Sequence, residues 1–189
     1  MKTFVQSFMM LLGLTILTGV IYPLAVTAAG NIFYKDRVHG QIVRNQDQPV
    51  ASRLIAQKIT SLKYFWPRPS AADYNAAASA ASNLGPTSAD LKKLYDERKK
   101  SLMAAHPDDG EPPQDLLFAS GSGLDPEISP AAAFYQLNRV AKARNLNPEQ
   151  SARLKTLVES LVQKPTLGFL GDSRLNVMDL NLALDSMKE

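Results

Sequence analysis

The stretch Ser120-Gly121-Ser122-Gly123 is followed by two acids, Asp125 and Glu127, and then by Ser129-Pro130, where a helix can open. Three kinds of role fit such residues. Backbone N–H groups and a helix N-terminus can cradle a phosphate, paired carboxylates can do acid–base work, or the stretch can be a connector. The phosphate reading lacks its lysine, because nothing here matches G-x-x-x-x-G-K-[ST]. The serine spacing does not make a G-x-S-x-G nucleophile elbow. Asp125 and Glu127 flank Pro126 and are expected to point to opposite sides of the loop. Farther on, Gln136 and Arg139 share one helical face, with Ala143 less closely aligned, opposite or flanking the apolar stripe of Phe134, Leu137 and Val140.

Two interpretations of this segment stay open. In one, Gly121 and Gly123 take backbone angles closed to other residues, and the Gln136/Arg139 face meets a partner or an anion. In the other, Asp125 and Ser129 cap local turns while Gln136 and Arg139 are plain surface. On both, Gln136 is exposed and its replacement by alanine changes stability by no more than about 0.5 kcal/mol.

The remaining chemistry is sparse. The only histidines are His39 and His106, the latter opening "HPDDGEPPQD", which reads as a solvated linker. "DDGE" lacks the ligand spacing of a calcium loop, and no metal is expected. The absence of cysteine removes thiol catalysis, disulfides and cysteine-ligated zinc. With 21 basic and 18 acidic residues the net charge is only +3, and no basic stripe is interleaved with stacking aromatics. Nucleic acid is therefore not an expected partner.

The element most plainly written in the sequence is N-terminal. No charged residue occurs from Thr3 through Tyr34, and Phe8 to Ala29 is almost wholly apolar. About 20 such residues cross a hydrocarbon core of ~30 Å. "VTAAG" offers small residues near a signal-peptide cleavage point, but a signal's apolar region is usually only about 7–15 residues long. The expectation is a retained single span over about 8–29, within an anchor of residues 1–34, followed by a soluble part from 35 to 189. Thr15, Gly19 and Pro23 recur every fourth residue, a spacing that lets another helix approach. Lys35, Arg37 and Arg44 outnumber Lys2, so the charge rule weakly favours a cytoplasmic soluble part.

The soluble part reads as mostly helical α+β. Residues 36–66 suggest short strands or turns, with "ASRLIAQKI" as a strand edge or a short helix. The prolines of "WPRP" exclude regular helix, and the Ala/Ser/Asn-rich segment after them has no periodicity. Thr87 is placed to cap a helix lined by Leu91, Leu94 and Leu102. A second helix starts at Ser129 with Pro130, burying Phe134, Leu137, Val140 and Ala141. A third begins at Asn147-Pro148 with Gln150 completing a capping box, and buries Leu154, Leu157, Val158 and Leu161. Leu175–Val177 suggests a short strand and Leu180–Met187 a final helix.

Four blocks then carry a resemblance: "YFWPRPSAADYN", "SNLGPTSADL", "ASGSGLDPEISPAAAFYQLNRVAKAR" and "GFLGDSRLNVMDLNLAL". They resemble, in order, the C subunit of the bacterial Kdp potassium-transporting ATPase. Ala51 and Ala56 depart from the family pattern, standing where glycine is expected. The resemblance implies a non-catalytic subunit of a high-affinity potassium import complex in the bacterial inner membrane, needed for assembly and activity. Its partners would be a P-type pump subunit, a channel-like subunit and a small single-span subunit. It also implies a role as a catalytic chaperone raising the pump's ATP affinity, with ATP contacted through the Gly/Ser loop and the nearby Gln136. The candidate residues for docking or ATP contact are Ser120, Gly121, Ser122, Gly123, Asp125, Gln136 and Arg139, with an allosteric or assembly role expected ahead of nucleotide contact. The missing P-loop lysine makes any such site non-standard. The family implies a periplasmic soluble domain, against the charge count, and that side is the expectation adopted. The alternative from the residues alone is a free-standing anchored enzyme or small-anion-binding protein.

Overall fold

The computed structural model describes residues 1–45 and 48–187. The chain divides into two units, Met1–Ile42 and Val43–Glu189.

In the first unit the uncharged N-terminal run is helical from Lys2 to Phe33, 32 residues, with a mean hydropathy of 2.0 over its most apolar 18 residues. At 1.5 Å per residue that is about 48 Å, more than a hydrocarbon core requires. It comprises α1 (Lys2–Ile16), a π-helical stretch at Leu17–Ile21, and α2 (Tyr22–Phe33). Pro23 lacks the N–H that would bond the carbonyl of Gly19. The backbone widens just before it, and the N–H of Tyr22 reaches back to the carbonyl of Leu17. The row of Thr15, Gly19 and Pro23 thus runs through a wider turn, where every-fourth spacing no longer stacks residues directly above one another. A short α3 (Lys35–Val38) follows.

The second unit is mostly helical α+β, as expected. β1 (Ile42–Asn45) pairs with β2 (Gln48–Ser52). "ASRLIAQKI" does not continue as strand or helix beyond Ser52. Its backbone is taken up by long-range bonds, Ala56 N–H to the carbonyl of Leu124 at 2.8 Å and Asn176 Nδ2 to the carbonyl of Arg53 at 2.8 Å. The next long helix, α4 (Ala89–Ala105), is capped by Ser88, whose Oγ accepts from the N–H of Leu91, and not by Thr87. After a 3₁₀ turn at Gln114–Leu116 come β3 (Glu127–Ile128), α5 (Pro130–Ala143), α6 (Pro148–Leu161), β4 (Leu175–Asn176) and α7 (Val177–Ser186).

The expected caps of α5 and α6 form: Ser129 Oγ accepts from Ala132 N–H, and Asn147 and Gln150 complete a capping box. α7 begins three residues before the expected Leu180, because the Asn176 side chain accepts from the N–H groups of Met178 and Asp179. β3 and β4 pair antiparallel, Glu127 opposite Asn176 and Ile128 opposite Leu175. α5 lies on α6 and α6 on α7. Their shared core holds Val140, Leu154, Val158, Leu180 and Leu184, all at most 2% exposed. Each such side chain contributes about 1.5–3 kcal/mol by leaving water. Phe65, from the irregular proline-bearing segment, is fully buried among them.

That segment is tied to the Gly/Ser loop. Ser120 N–H donates to the carbonyl of Pro69, and the carbonyl of Ser122 accepts from Ala80 N–H and Ser79 Oγ. Gly123 has φ +69°, and a Cβ there would lie 2.7 Å from the carbonyl oxygen of Ala80. Gly121 differs from expectation: its φ is not positive and open space surrounds its Cα. Gly123→Ala should therefore destabilise the chain by about 2 kcal/mol or more, through strain and displacement of residue 80. Gly121→Ala should stay within about 0.5 kcal/mol. Denaturant melts of the detergent-solubilised chain measure both.

Candidate functional site

The segment Ser61–Trp66 has no strand partner, yet it is clamped between α5 and α7. Each of its six successive carbonyls accepts a hydrogen bond. The carbonyl of Ser61 accepts from Trp66 Nε1 at 3.0 Å, and that of Lys63 from Arg144 Nε at 2.9 Å. Arg139 Nη1 donates to the carbonyls of Leu62 at 2.6 Å and Tyr64 at 3.0 Å. Asn181 Nδ2 donates to the carbonyl of Phe65 at 2.9 Å while its Oδ1 accepts the Phe65 N–H at 2.8 Å. Gln136 treats Trp66 the same way, its Nε2 donating to the carbonyl at 3.1 Å and its Oε1 accepting the N–H at 2.7 Å. Two side-chain amides thus bond two consecutive residues as a neighbouring strand would.

Gln136 and Arg139 therefore do not sit on the surface; their exposures are 0% and 5%. The expected tolerance of Gln136→Ala is corrected accordingly. Gln136 Nε2 also donates to the carbonyl of Ala132, and its Oε1 accepts from Arg139 Nη2 at 2.7 Å, so its polar atoms are all engaged. The Arg139 guanidinium lies 4.0 Å from the centroid of the Trp66 ring, a cation–π contact in a desolvated place. Burial pushes the pKa of Arg139 down to about 10, which leaves it charged at neutral pH.

His106 completes the cluster. It caps α4 at its C-terminus and is buried, contrary to a solvated linker, although most of the residues after it are exposed. Its Nε2 faces Arg139 Nε at 2.9 Å and must accept, since that nitrogen can only donate. Its Nδ1 then carries the proton and donates to the carbonyl of Leu102 at 2.8 Å. The ring meets Trp66 edge-on and leans on Tyr135. Burial, reinforced by the Arg139 charge, lowers the His106 pKa, while the Leu102 carbonyl and Asp109 act the other way.

Asp125 lies apart from this cluster, on a cleft of about 450 Å³ at the start of α5. Asp125 and Glu127 both line it, so the expected divergence of the two acids does not occur. Asp125 Oδ2 pairs with Arg68 at 3.3 Å, and its Oδ1 accepts the Glu127 N–H at 2.9 Å. Glu127 pairs with Arg174 at 2.9 Å. Asp115, also lining the cleft, accepts the Ser129 N–H at 2.8 Å. With Asp172 the lining carries four carboxylates against two guanidinium groups, each of the latter already paired.

The structure thus separates the sequence-chosen residues into three groups: Gln136 and Arg139 in the buried clamp, Asp125 on the cleft, and Ser120–Gly123 in the loop stitched to residues 69–80. Sequence reasoning missed His106, Asn181 and Trp66. Asn181 had a signal, a polar residue between Leu180 and Leu184 on an apolar helix. His106 had none, because its neighbours in sequence are hydrophilic.

Two outcomes follow. Gln136→Ala leaves the Trp66 N–H and one Arg139 donor without partners in a dry place and should cost about 2–4 kcal/mol in denaturant melts. The pH dependence follows from His106. The unfolded ring takes a proton near pH 6.5, the folded ring only at lower pH. Stability is therefore full above about pH 6.5 and falls as pH drops toward the folded value. The melting temperature should drop between about pH 7.5 and 5, and drop less in His106→Gln, which cannot take the proton.

The family model for the K+-transporting ATPase c chain, KdpC, matches residues 4–186. The potassium-transporting ATPase KdpC subunit of Leptospira interrogans is 49% identical over 180 residues, covering 95% of this chain and 92% of the relative. The subunit of that name from Serratia proteamaculans is 48% identical, covering 96% and 97%. That of Janthinobacterium sp. strain Marseille is 44% identical, covering 97% and 98%. The four blocks, and the N-terminal helix from Phe4 onward, fall within residues 4–186, and the chain belongs to the KdpC family, the c chain of K+-transporting ATPases.

Proposed function

We propose that this chain acts as a non-catalytic subunit of a potassium-importing ATPase, held in the bacterial inner membrane by a retained N-terminal span, with its second unit on the periplasmic side. It supports assembly and activity of the complex by binding the pump, channel-like and small single-span subunits. The observation that carries this reading is the commitment of the reactive side chains. Arg139, Gln136 and His106 are buried, and although Arg139 and His106 border a cleft of about 330 Å³, their polar atoms are all bonded within the fold. The two arginines of the cleft are paired, and its surplus of carboxylates disfavours a polyanion such as ATP or a small free anion. In this reading Ser120, Gly121, Ser122, Gly123, Asp125, Gln136 and Arg139 serve by shaping a docking body, not by contacting nucleotide.

Two measurements test it. A reporter fused after Glu189 should be active only as a periplasmic enzyme; activity only as a cytoplasmic fluorophore would contradict the proposed side and reopen nucleotide contact. Potassium-dependent ATP hydrolysis should be lost from a complex purified without this chain and restored by adding it, while the chain alone should hydrolyse no ATP. Full activity without the chain would refute the role.

A further inference from the structure

Between α6 and β4 the chain turns back on itself as a hairpin. Gln163 pairs with Arg174 and Thr166 with Leu170. Thr166 and Leu170 exchange two N–H···O bonds of 2.9 Å, and Gly168 N–H donates to the carbonyl of Pro165 at 3.0 Å. At the tip Leu167 and Gly168 have φ of +56° and +83°. Asparagine and glycine enter this left-handed turn readily, whereas leucine is strained in it. Local turn chemistry therefore does not explain Leu167. Nor does the core: Leu167 is 78% exposed, Phe169 74% and Leu170 51%.

The chemistry of the tip narrows what could cover it. From Pro165 to Gly171 no residue is charged, and the run is bracketed by one base, Lys164, and one acid, Asp172. An anionic lipid surface recruits apolar tips through clusters of Lys and Arg, and this bracket is neutral. Three side chains are also too little area for self-association, since a stable interface buries about 1,200–2,000 Å² in total. A neutral knob on a hydrogen-bonded backbone suits an uncharged apolar pocket, where a few anchors carry most of an interface. We propose that the tip Leu167-Gly168-Phe169-Leu170 inserts into an uncharged, apolar pocket on another subunit of the potassium-transporting ATPase. This inference rests on the assembly role proposed above.

The test uses the full chain, co-expressed with the other subunits and recovered through a tag on one of them. Leu167→Asp and Phe169→Asp replace side chains that face water, so the melting temperature of the chain should hold. Retention of the chain in the complex should fall about tenfold or more, the loss expected of an anchor contact. Met103→Asp, at a 43% exposed apolar position on α4, should retain wild-type recovery. A nitroxide on Phe169→Cys, in a chain with no other cysteine, should be mobile and water-accessible in phosphatidylglycerol vesicles holding the chain alone, and immobilised in the complex. Wild-type retention of both tip variants overturns the proposal, as does a label found in lipid in the vesicles. Where the wild-type chain is retained and needed for hydrolysis but the tip variants match it, the tip alone fails. Where the wild-type chain is not retained at all, the assembly role fails and takes the tip with it.

Discussion

A stretch of chain that dips into the core but cannot join a sheet must still satisfy its buried peptide groups. Pro67 and Pro69 bar the segment around Ser61–Trp66 from continuing as regular structure, yet Phe65 lies at the centre of the core. Each buried carbonyl or N–H left without a partner would cost about 1–3 kcal/mol. Side chains at α5 and α7 remove that cost: Gln136 and Asn181 as amides that donate and accept together, Arg139 by bridging the carbonyls of Leu62 and Tyr64, and Arg144 by taking that of Lys63 between them. The rest of the second unit is arranged around this clamp. His106 fixes the Arg139 fork from α4. The loop at Ser120–Gly123 holds the far end of the same segment, past the two prolines.

This arrangement commits the side chains of the clamp to the fold. Arginine, histidine and glutamine close together often signal catalysis, but here their hydrogen-bonding capacity is met within the fold. Arg139 is planar, charged at neutral pH and five-pronged, so it can address two carbonyls, an amide oxygen and an imidazole at once while stacking on Trp66. Lysine could do none of this together. On the proposed reading the chain serves the complex as a shaped body whose surfaces meet other subunits.

Much of the scaffold was legible in the sequence. The uncharged run after Thr3 marks the long N-terminal helix, and Ser129-Pro130 and Asn147-Pro148-x-Gln150 mark two helix starts through cap chemistry alone. Caps are local, so local sequence reveals them. Gln136 and Arg139 were legible as a shared face but not as buried, because what covers them is some 70 residues away in sequence and irregular. A polar face on an amphipathic helix looks solvated until the segment that covers it is known. Asp125 and Glu127 stand two apart, a spacing that puts both on one face of an extended backbone, so both reach one cleft and their expected divergence is contrary to the period of a strand. The widened turn before Pro23 likewise depends on a missing N–H more than on hydropathy.

The central claim is that side chains hold Ser61–Trp66 as firmly as a sheet would. Native-state hydrogen exchange on the detergent-solubilised chain measures this directly through the amides of Phe65 and Trp66. They should exchange as slowly as those in the interior of α6 around Leu154–Val158, opening only with the unit as a whole. Exchange as fast as at the exposed Ser82 and Asn83 would show that the clamp does not hold the segment, and would contradict the account.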